Sequence, residues 1–334
     1  MNYFCTYCDQ GYAARLLCLY ESLRAQNESF RLLVLCFDVE TENVVTAVND
    51  PGFVAISLDE LLRSDPDYAA VRSKRTKVEF YFTATPVLVR YCLQLERGAA
   101  QMTYLDSDLY FFGPPSAVFS EQNGASAGIV AHRFPDSLAE RLKYGTYNVA
   151  WVSFRRDCDG LACLEWWRER CLEWCHDFLD AGRFADQGYL DEFPRRFNNV
   201  RVIAHPGVNA APWNMHEVRV SGVPHRVLVN EQPLLFYHFQ GVREIAAGWF
   251  EPGLRAYQTP LGAPLRELIY LPYLQHLMAS QKRLRVQHGM LPRFLHQRLN
   301  AGRSWSDRWE RVKSRWMLPY YGRLQRRLLH ASEP

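Results

Sequence analysis

Arg31-Leu-Leu-Val-Leu-Cys-Phe37 is an apolar run of strand length that stops at Asp38. A run rich in Leu and Val, with no polar alternation, suits a strand buried on both faces of a parallel sheet. Segments of similar character lie on either side, at residues 2–7 and 53–58. A turn at Asp9-Gln10-Gly11 and a helix over 13–25 separate the first pair of strands, and helical sequence around Val44–Val48 separates the second. This β-α-β-α-β alternation with short connections predicts a doubly wound, mostly parallel α/β sheet.

Further along, residues 59–71 are polar and helical. A basic cluster, Arg72-Ser-Lys-Arg-Thr-Lys77, then precedes a helix over 80–95 that contains Pro86. Met102–Leu105 is the next strand, and it leads into Tyr104-Leu-Asp-Ser-Asp-Leu-Tyr-Phe-Phe112. Here two carboxylates, Asp106 and Asp108, stand one residue apart at the end of a buried run. Anionic oxygens in that arrangement suit a hard divalent cation that keeps open positions for phosphate oxygens. Without such a partner, two like charges beside apolar sequence are costly. An isolated Asp-x-Asp would read as a solvated turn; the apolar sequence on both sides favours a metal–diphosphate site.

Strands follow at 128–132, 148–154, 200–204 and 234–238. A helix over 160–178 carries Trp166, Trp167 and Trp174, which read as packing residues. From about Ala246 the pattern turns helical and basic. The expected organisation is an α/β body over 1–245 and a basic, largely helical extension over 246–334.

The chain has 334 residues, 48% hydrophobic and 14% aromatic, which is ample for a core and excludes extended disorder. Its net charge of +3 is unevenly spread: residues 281–334 hold 13 Lys/Arg against 3 Asp/Glu. No stretch approaches a membrane-spanning length, and the opening Met-Asn-Tyr-Phe-Cys-Thr lacks the basic start of a secretory signal. The expectation is a cytoplasmic protein. Nine scattered cysteines, an odd number, suit reduced thiols better than a disulfide framework. Cys5-x-x-Cys8 lacks the second pair that zinc would need.

Five features occur in a particular order: Asp9 and Tyr12 in the first turn; Asp106-Ser107-Asp108; Asn148 opening a strand; Asp186-Gln187; and His238-Phe-Gln-Gly241. Together, over residues 2–245, they resemble the GT-A fold glycosyltransferases related to family 8, the group of glycogenin and the lipopolysaccharide galactosyl- and glucosyltransferases. The resemblance implies a Rossmann-like nucleotide-diphospho-sugar transferase domain. Its cation, Mn2+ or Mg2+, would be held by Asp106, Asp108 and His238. Asp186 and Gln187 would lie beside the anomeric carbon and the acceptor. Tyr12 would stack on uracil, with Thr6 or Asp9 bonding base or ribose. Arg75 and Lys77 are the choices for phosphate within the basic cluster. Asn148 would bond sugar hydroxyls, Ser107 and Gly241 would border the donor, and Asn209 and Trp213 would line the acceptor side. Two positions depart from the pattern. Ala150 stands where glycine is expected, and Glu244 where a lysine would contact the diphosphate, with Arg243 as the neighbouring substitute.

The activity implied is transfer from a nucleotide sugar, a uridine diphosphate sugar in particular, to a saccharide or lipid-linked saccharide acceptor, with retention of configuration and a place in surface polysaccharide or lipopolysaccharide synthesis. Two rivals are a non-catalytic sugar-nucleotide or carbohydrate-binding relative and a haloacid-dehalogenase-type phosphatase. The latter carries its aspartates on the first strand, whereas three strands precede Asp106. In the tail, Arg293, Arg298, Arg308, Arg311, Arg315 and Arg323 alternate with Trp305, Trp309, Trp316 and Tyr320. That mixture suits an anionic lipid surface, hence a peripheral position on the inner face of the cytoplasmic membrane. No nucleic-acid recognition motif accompanies it.

Overall fold

The computed structural model describes residues 1–290 and 329–331. Eight strands organise the body: β1 (Asn2–Cys8), β2 (Phe30–Cys36), β3 (Phe53–Ser57), β4 (Gln101–Leu105), β5 (Leu109–Phe111), β6 (Ala127–Ala131), β7 (Tyr147–Arg155) and β8 (Val200–Ile203). Seven of them form one sheet in the order β3-β2-β1-β4-β7-β6-β8. Only β7 runs against its neighbours. The fold is thus mixed α/β with a central, mostly parallel sheet.

Helices α1 (Ala13–Arg24) and α2 (Val39–Ala47) connect the first three strands. Next come α3 (Leu58–Ser64), α4 (Pro66–Val71) and α5 (Lys77–Leu95), which returns the chain to β4; α6 (Pro115–Gln122) and α7 (Cys158–Glu173) follow. Their starts are written in the sequence. Asp38 caps α2 through Thr41 N, and reciprocal capping boxes, Ser57 with Glu60 and Thr76 with Glu79, open α3 and α5. Each satisfies backbone donors that the first helical turn leaves unpaired.

Strand alternation divides the core between the two faces of the sheet. Cys5, Leu33, Leu35, Met102, Tyr104 and Val152 pack under α5 and α7, while Phe4, Cys8, Leu32, Val34, Leu105 and Trp151 pack on the other face. Cys5 and Cys8 therefore lie on opposite sides and cannot share a metal. All nine thiols are free.

Some expectations need correction. The α7 helix ends at Glu173, five residues short of 178. The run at 234–238 yields only the strand Phe236–His238, which pairs with β5 outside the main sheet. After Ala246 the chain is not simply helical. Arg243–Ala246 pairs with Trp249–Glu251 before the helix Leu271–His288. That helix shares an apolar cluster with Cys18, Ala210, Tyr237 and Phe239 of the body. Arg293 and the later tail residues named above lie outside the described residues.

The chain leaves β1 outward through β2 and β3, then crosses back to place β4 on β1's other side. This reversal opens a crevice at the carboxyl ends of β1 and β4, where open α/β sheets bind ligands. The turn after β1 carries Asp9, and the turn after β4 carries Asp106. Because β7 runs the other way, its first residues, including Asn148, come to the same edge.

Candidate active site

Tyr104 and Leu105 end β4 in the core, so the turn Asp106-Ser107-Asp108 emerges directly from packed sheet. Next in sequence, β5 pairs with Phe236–His238 in the register Phe236↔Phe111, Tyr237↔Tyr110, His238↔Leu109. This ribbon sets His238 beside the aspartates. Its Nε2 lies 3.1 Å from Asp108 Oδ1 and 3.8 Å from Asp106 Oδ2. One ligand atom from each residue falls within 4.8 Å of the others, the sole group of this kind among the described residues. Backbone bonds secure the arrangement: His238 N–H donates to Ala210 O at 2.8 Å, and Phe239 N–H to Asp108 O at 3.0 Å.

The electrostatics favour an added positive charge. Burial, reinforced by Asp108, pushes Asp106 up to about 6 even though His238 pulls the other way. Burial acts upward on Asp108 too, but the His238 imidazole holds it below its ordinary value. Burial would lower His238; the two carboxylates override it and raise it. Two carboxylates thus face one imidazole, and 26% of the Asp106 side chain stays open to an incoming ligand. Two oxygens and one imidazole nitrogen suit Mn2+ or Mg2+ with remaining positions for phosphate oxygens, so the residues present fit such a cation.

A second cluster adjoins. Asp186 is buried, its Oδ2 accepting from the Thr85 hydroxyl at 2.7 Å, and burial pushes its carboxyl up to about 7. Asn148 Nδ2 donates to Gln187 Oε1 at 3.1 Å and reaches His132 Nε2 at 3.3 Å. The Asn148 side-chain Oδ1 accepts from Ala150 N–H, and Gln187 Nε2 donates to Tyr144 O at 3.0 Å. His132 Nδ1 faces Thr146 O at 3.2 Å. A carbonyl can only accept, so Nδ1 carries the proton and Nε2 is free to accept from Asn148. Burial pushes His132 down to about 4, which keeps it neutral. Both Asn148 amide hydrogens are thereby used inside the protein. Gln187 keeps one amide hydrogen and one lone pair for a ligand.

The other expected residues fall into three groups. Asp9, Tyr12, Ser107 and Gly241 lie in the segments that directly follow β1, β4 and the His238 strand. Asp9 accepts from Gly11 N–H at 3.0 Å and pairs with Lys77 at 2.9 Å, Lys77 remaining largely exposed. Gly241 has φ +78°, a left-handed conformation that favours glycine, and follows the His238 strand. Asn209 and Trp213 are buried behind that strand. Asn209 Oδ1 has no partner, and Trp213 stands edge-on to His238 at 5.2 Å with its Nε1 donating to His132 O at 2.8 Å. Trp213 therefore backs His238 and does not offer a face to solvent. Thr6, Arg75 and Arg243 are not gathered with the aspartates. Thr6 is fully buried inside β1, Arg75 binds His176 and the last two carbonyls of α7, and Arg243 pairs with Glu251 at the surface.

Sequence reading missed His132, which directly follows β6 as His238 ends its own strand; that position was its only signal.

No protein-family model matches the chain. It is 30% identical over 293 residues to the Bacillus subtilis protein YfnF, covering 84% of this chain and 94% of YfnF. It is 28% identical over 283 residues to YfnD of the same organism, covering 82% and 88%. Both are named as uncharacterized proteins. Among solved structures, the galactosyltransferase LgtC in complex with donor and acceptor sugar analogues is 15% identical, with a TM-score of 0.49, covering 80% of this chain and all of that one.

Proposed function

We propose that this chain, which belongs to the family of Bacillus subtilis YfnF and YfnD, is a glycosyltransferase that moves a sugar from a uridine diphosphate sugar to a saccharide or lipid-linked saccharide acceptor. The observation that carries the proposal is the convergence of Asp106, Asp108 and His238 at the sheet's switch point. Support also comes from the ordered motifs quoted above, which are the basis for reading the donor as a uridine nucleotide and the outcome as retention.

In this reading Asp106, Asp108 and His238 hold Mn2+ or Mg2+, which supplies charge stabilisation for a departing diphosphate. The bond between the anomeric carbon and the β-phosphate oxygen breaks with its electron pair leaving on the nucleoside diphosphate, the acceptor hydroxyl oxygen bonds to that carbon, and the hydroxyl proton passes to the departing phosphate oxygen. Gln187, held through Asn148 and His132, presents its spare hydrogen and lone pair to sugar or acceptor hydroxyls. Asp186, anchored by Thr85, offers a carboxylate that favours positive charge developing at the anomeric centre. Orientation of this kind lowers the barrier by fixing a reactive geometry in advance. The basic segment after residue 290 is read from sequence as an attachment to anionic lipid, and co-sedimentation with anionic vesicles tests that assignment.

The central experiment is a thermal-shift panel of nucleotide sugars, with and without Mn2+, on the wild type and on Asp108→Ala. Stabilisation by a uridine diphosphate sugar only with metal, lost in the variant, is expected. An equal response of the two proteins removes the cation-site assignment. Phosphate release from simple phosphomonoesters would favour a phosphatase instead, and donor binding without hydrolysis or transfer a non-catalytic relative.

A further inference from the structure

A cation held by two carboxylates and an imidazole has little positive charge left over for a diphosphate, so a basic side chain is needed beside it. Of the cations that sequence would nominate, Arg75 is engaged with His176 and Arg243 with Glu251, both away from the aspartates, while Lys77 stands at the crevice paired with Asp9. Glu244 stands where a lysine was expected, and it accepts from Gly248 N–H.

Arg15, in the first turns of α1, is placed differently. Its NH2 donates to Val242 O at 2.6 Å, in the loop that follows His238, and its guanidinium lies over the Tyr12 ring at 4.5 Å. These contacts fix the plane of the guanidinium and leave other N–H donors uncommitted. The positive charge of Arg15 is felt at Asp108, where it helps to hold that carboxyl down.

Tyr273, from the helix Leu271–His288, makes a second, independent observation. Its ring stacks on Phe239, the neighbour of His238, at 3.7 Å and 9°. The residue is fully buried, yet its hydroxyl has no hydrogen-bond partner. Buried hydroxyls are nearly always paired, and this one keeps its hydrogen-bonding capacity for a group brought to it. Arg15, Tyr12 and Asp108 all lie within electrostatic reach of this hydroxyl.

We propose that Arg15, seconded by the Tyr273 hydroxyl, binds the terminal phosphate of the donor's diphosphate at the cation site. The proposal rests on the glycosyltransferase reading above and assigns within it a phosphate contact that no motif supplies. It also gives the Leu271–His288 helix a part in the site, beyond packing.

The test compares binding of UDP and UMP by calorimetry in the presence of Mn2+, for the wild type, R15M, R15K and Y273F. Mn2+ affinity is measured separately by electron paramagnetic resonance. In the wild type UDP binds more tightly than UMP. R15M is expected to lose roughly 30-fold in UDP affinity, a loss in keeping with a charge-assisted contact, while UMP and Mn2+ binding persist. R15K recovers part of the loss, and Y273F weakens UDP by about fivefold. A UDP-over-UMP preference unchanged in R15M overturns the Arg15 assignment alone. Should R15M fail to fold, R15Q decides, since it keeps an N–H for Val242 O without the charge: a UDP-over-UMP preference unchanged there has the same meaning. A wild type that binds no nucleoside diphosphate with Mn2+ overturns the glycosyltransferase reading itself.

Discussion

Two of the buried acid clusters among the described residues are balanced in opposite ways. Behind α4 and α7, Asp65 is gripped by Arg168 through two bonds of 2.7 Å, and Asp67, Glu165 and Arg90 complete the group. Burial works against the Asp65 charge, yet Arg168 and the Tyr68 N–H hold its carboxyl below the usual value. At the sheet edge, Asp106 and Asp108 share a single imidazole, and Asp106 is pushed up instead. The first cluster is complete as folded and reads as structure. The second is short of positive charge and reads as a receptor for it.

Substitutions can break or sharpen that contrast. The largest effect is expected for Asp108→Ala, assayed as donor hydrolysis or transfer with Mn2+. Turnover should fall roughly 10³–10⁴-fold, the several kcal/mol that metal stabilisation of a leaving group represents. Asp106→Asn, by contrast, should hold or raise the melting temperature in EDTA, because burial and Asp108 already disfavour the Asp106 carboxylate; a clear drop would class this cluster with the other. Arg168→Met should cost about 3–5 kcal/mol in denaturant unfolding, the range for stranding one buried charge of a pair. Its Mn2+ affinity should not move.

Acid–base behaviour offers a third contrast, read from stability curves in EDTA. Asp65 is depressed, so its contribution is present above the ordinary carboxylate pKa near 3.9 and is lost on acidification. Asp186 is raised to about 7. Its contribution is therefore present below about pH 4 and is lost as pH rises through 7. Asp186→Asn should flatten the decline between those values, and an unchanged slope would place its carboxyl in an ordinary environment. The smallest effect belongs to Glu165→Gln at the exposed rim of the Arg168 cluster, within about 1 kcal/mol.

Much of this was legible in the chain, for identifiable reasons. Parallel strands announce themselves through apolar runs such as 31–37, and Asp38, Ser57 and Thr76 mark helix starts by the oxygen they supply to free N–H groups. Asp106 and Asp108 stood out because charge beside a buried strand is expensive. His238 needed motif order, since a strand-end histidine means little alone; His132 occupies the same kind of position and passed unnoticed. The fate of the basic residues was not legible. Arg75, Arg243 and Arg15 look alike in sequence, and only tertiary contacts show that Arg75 binds His176, Arg243 pairs with Glu251 and Arg15 reaches the loop after His238. The short sheets after residue 219 escaped for a related reason. Their strands are two to four residues long, too brief for periodicity to register.

The two-stranded ribbon that joins β5 to Phe236–His238 has a bearing on how the protein matures. A nascent chain released through β8 already displays both aspartates but has no partner to bring the third donor alongside them. If these three residues hold a cation as proposed, its capture would wait for the last part of the body to leave the ribosome. A truncation before residue 236 should consequently yield a product that cannot concentrate manganese, however well its first strands have folded.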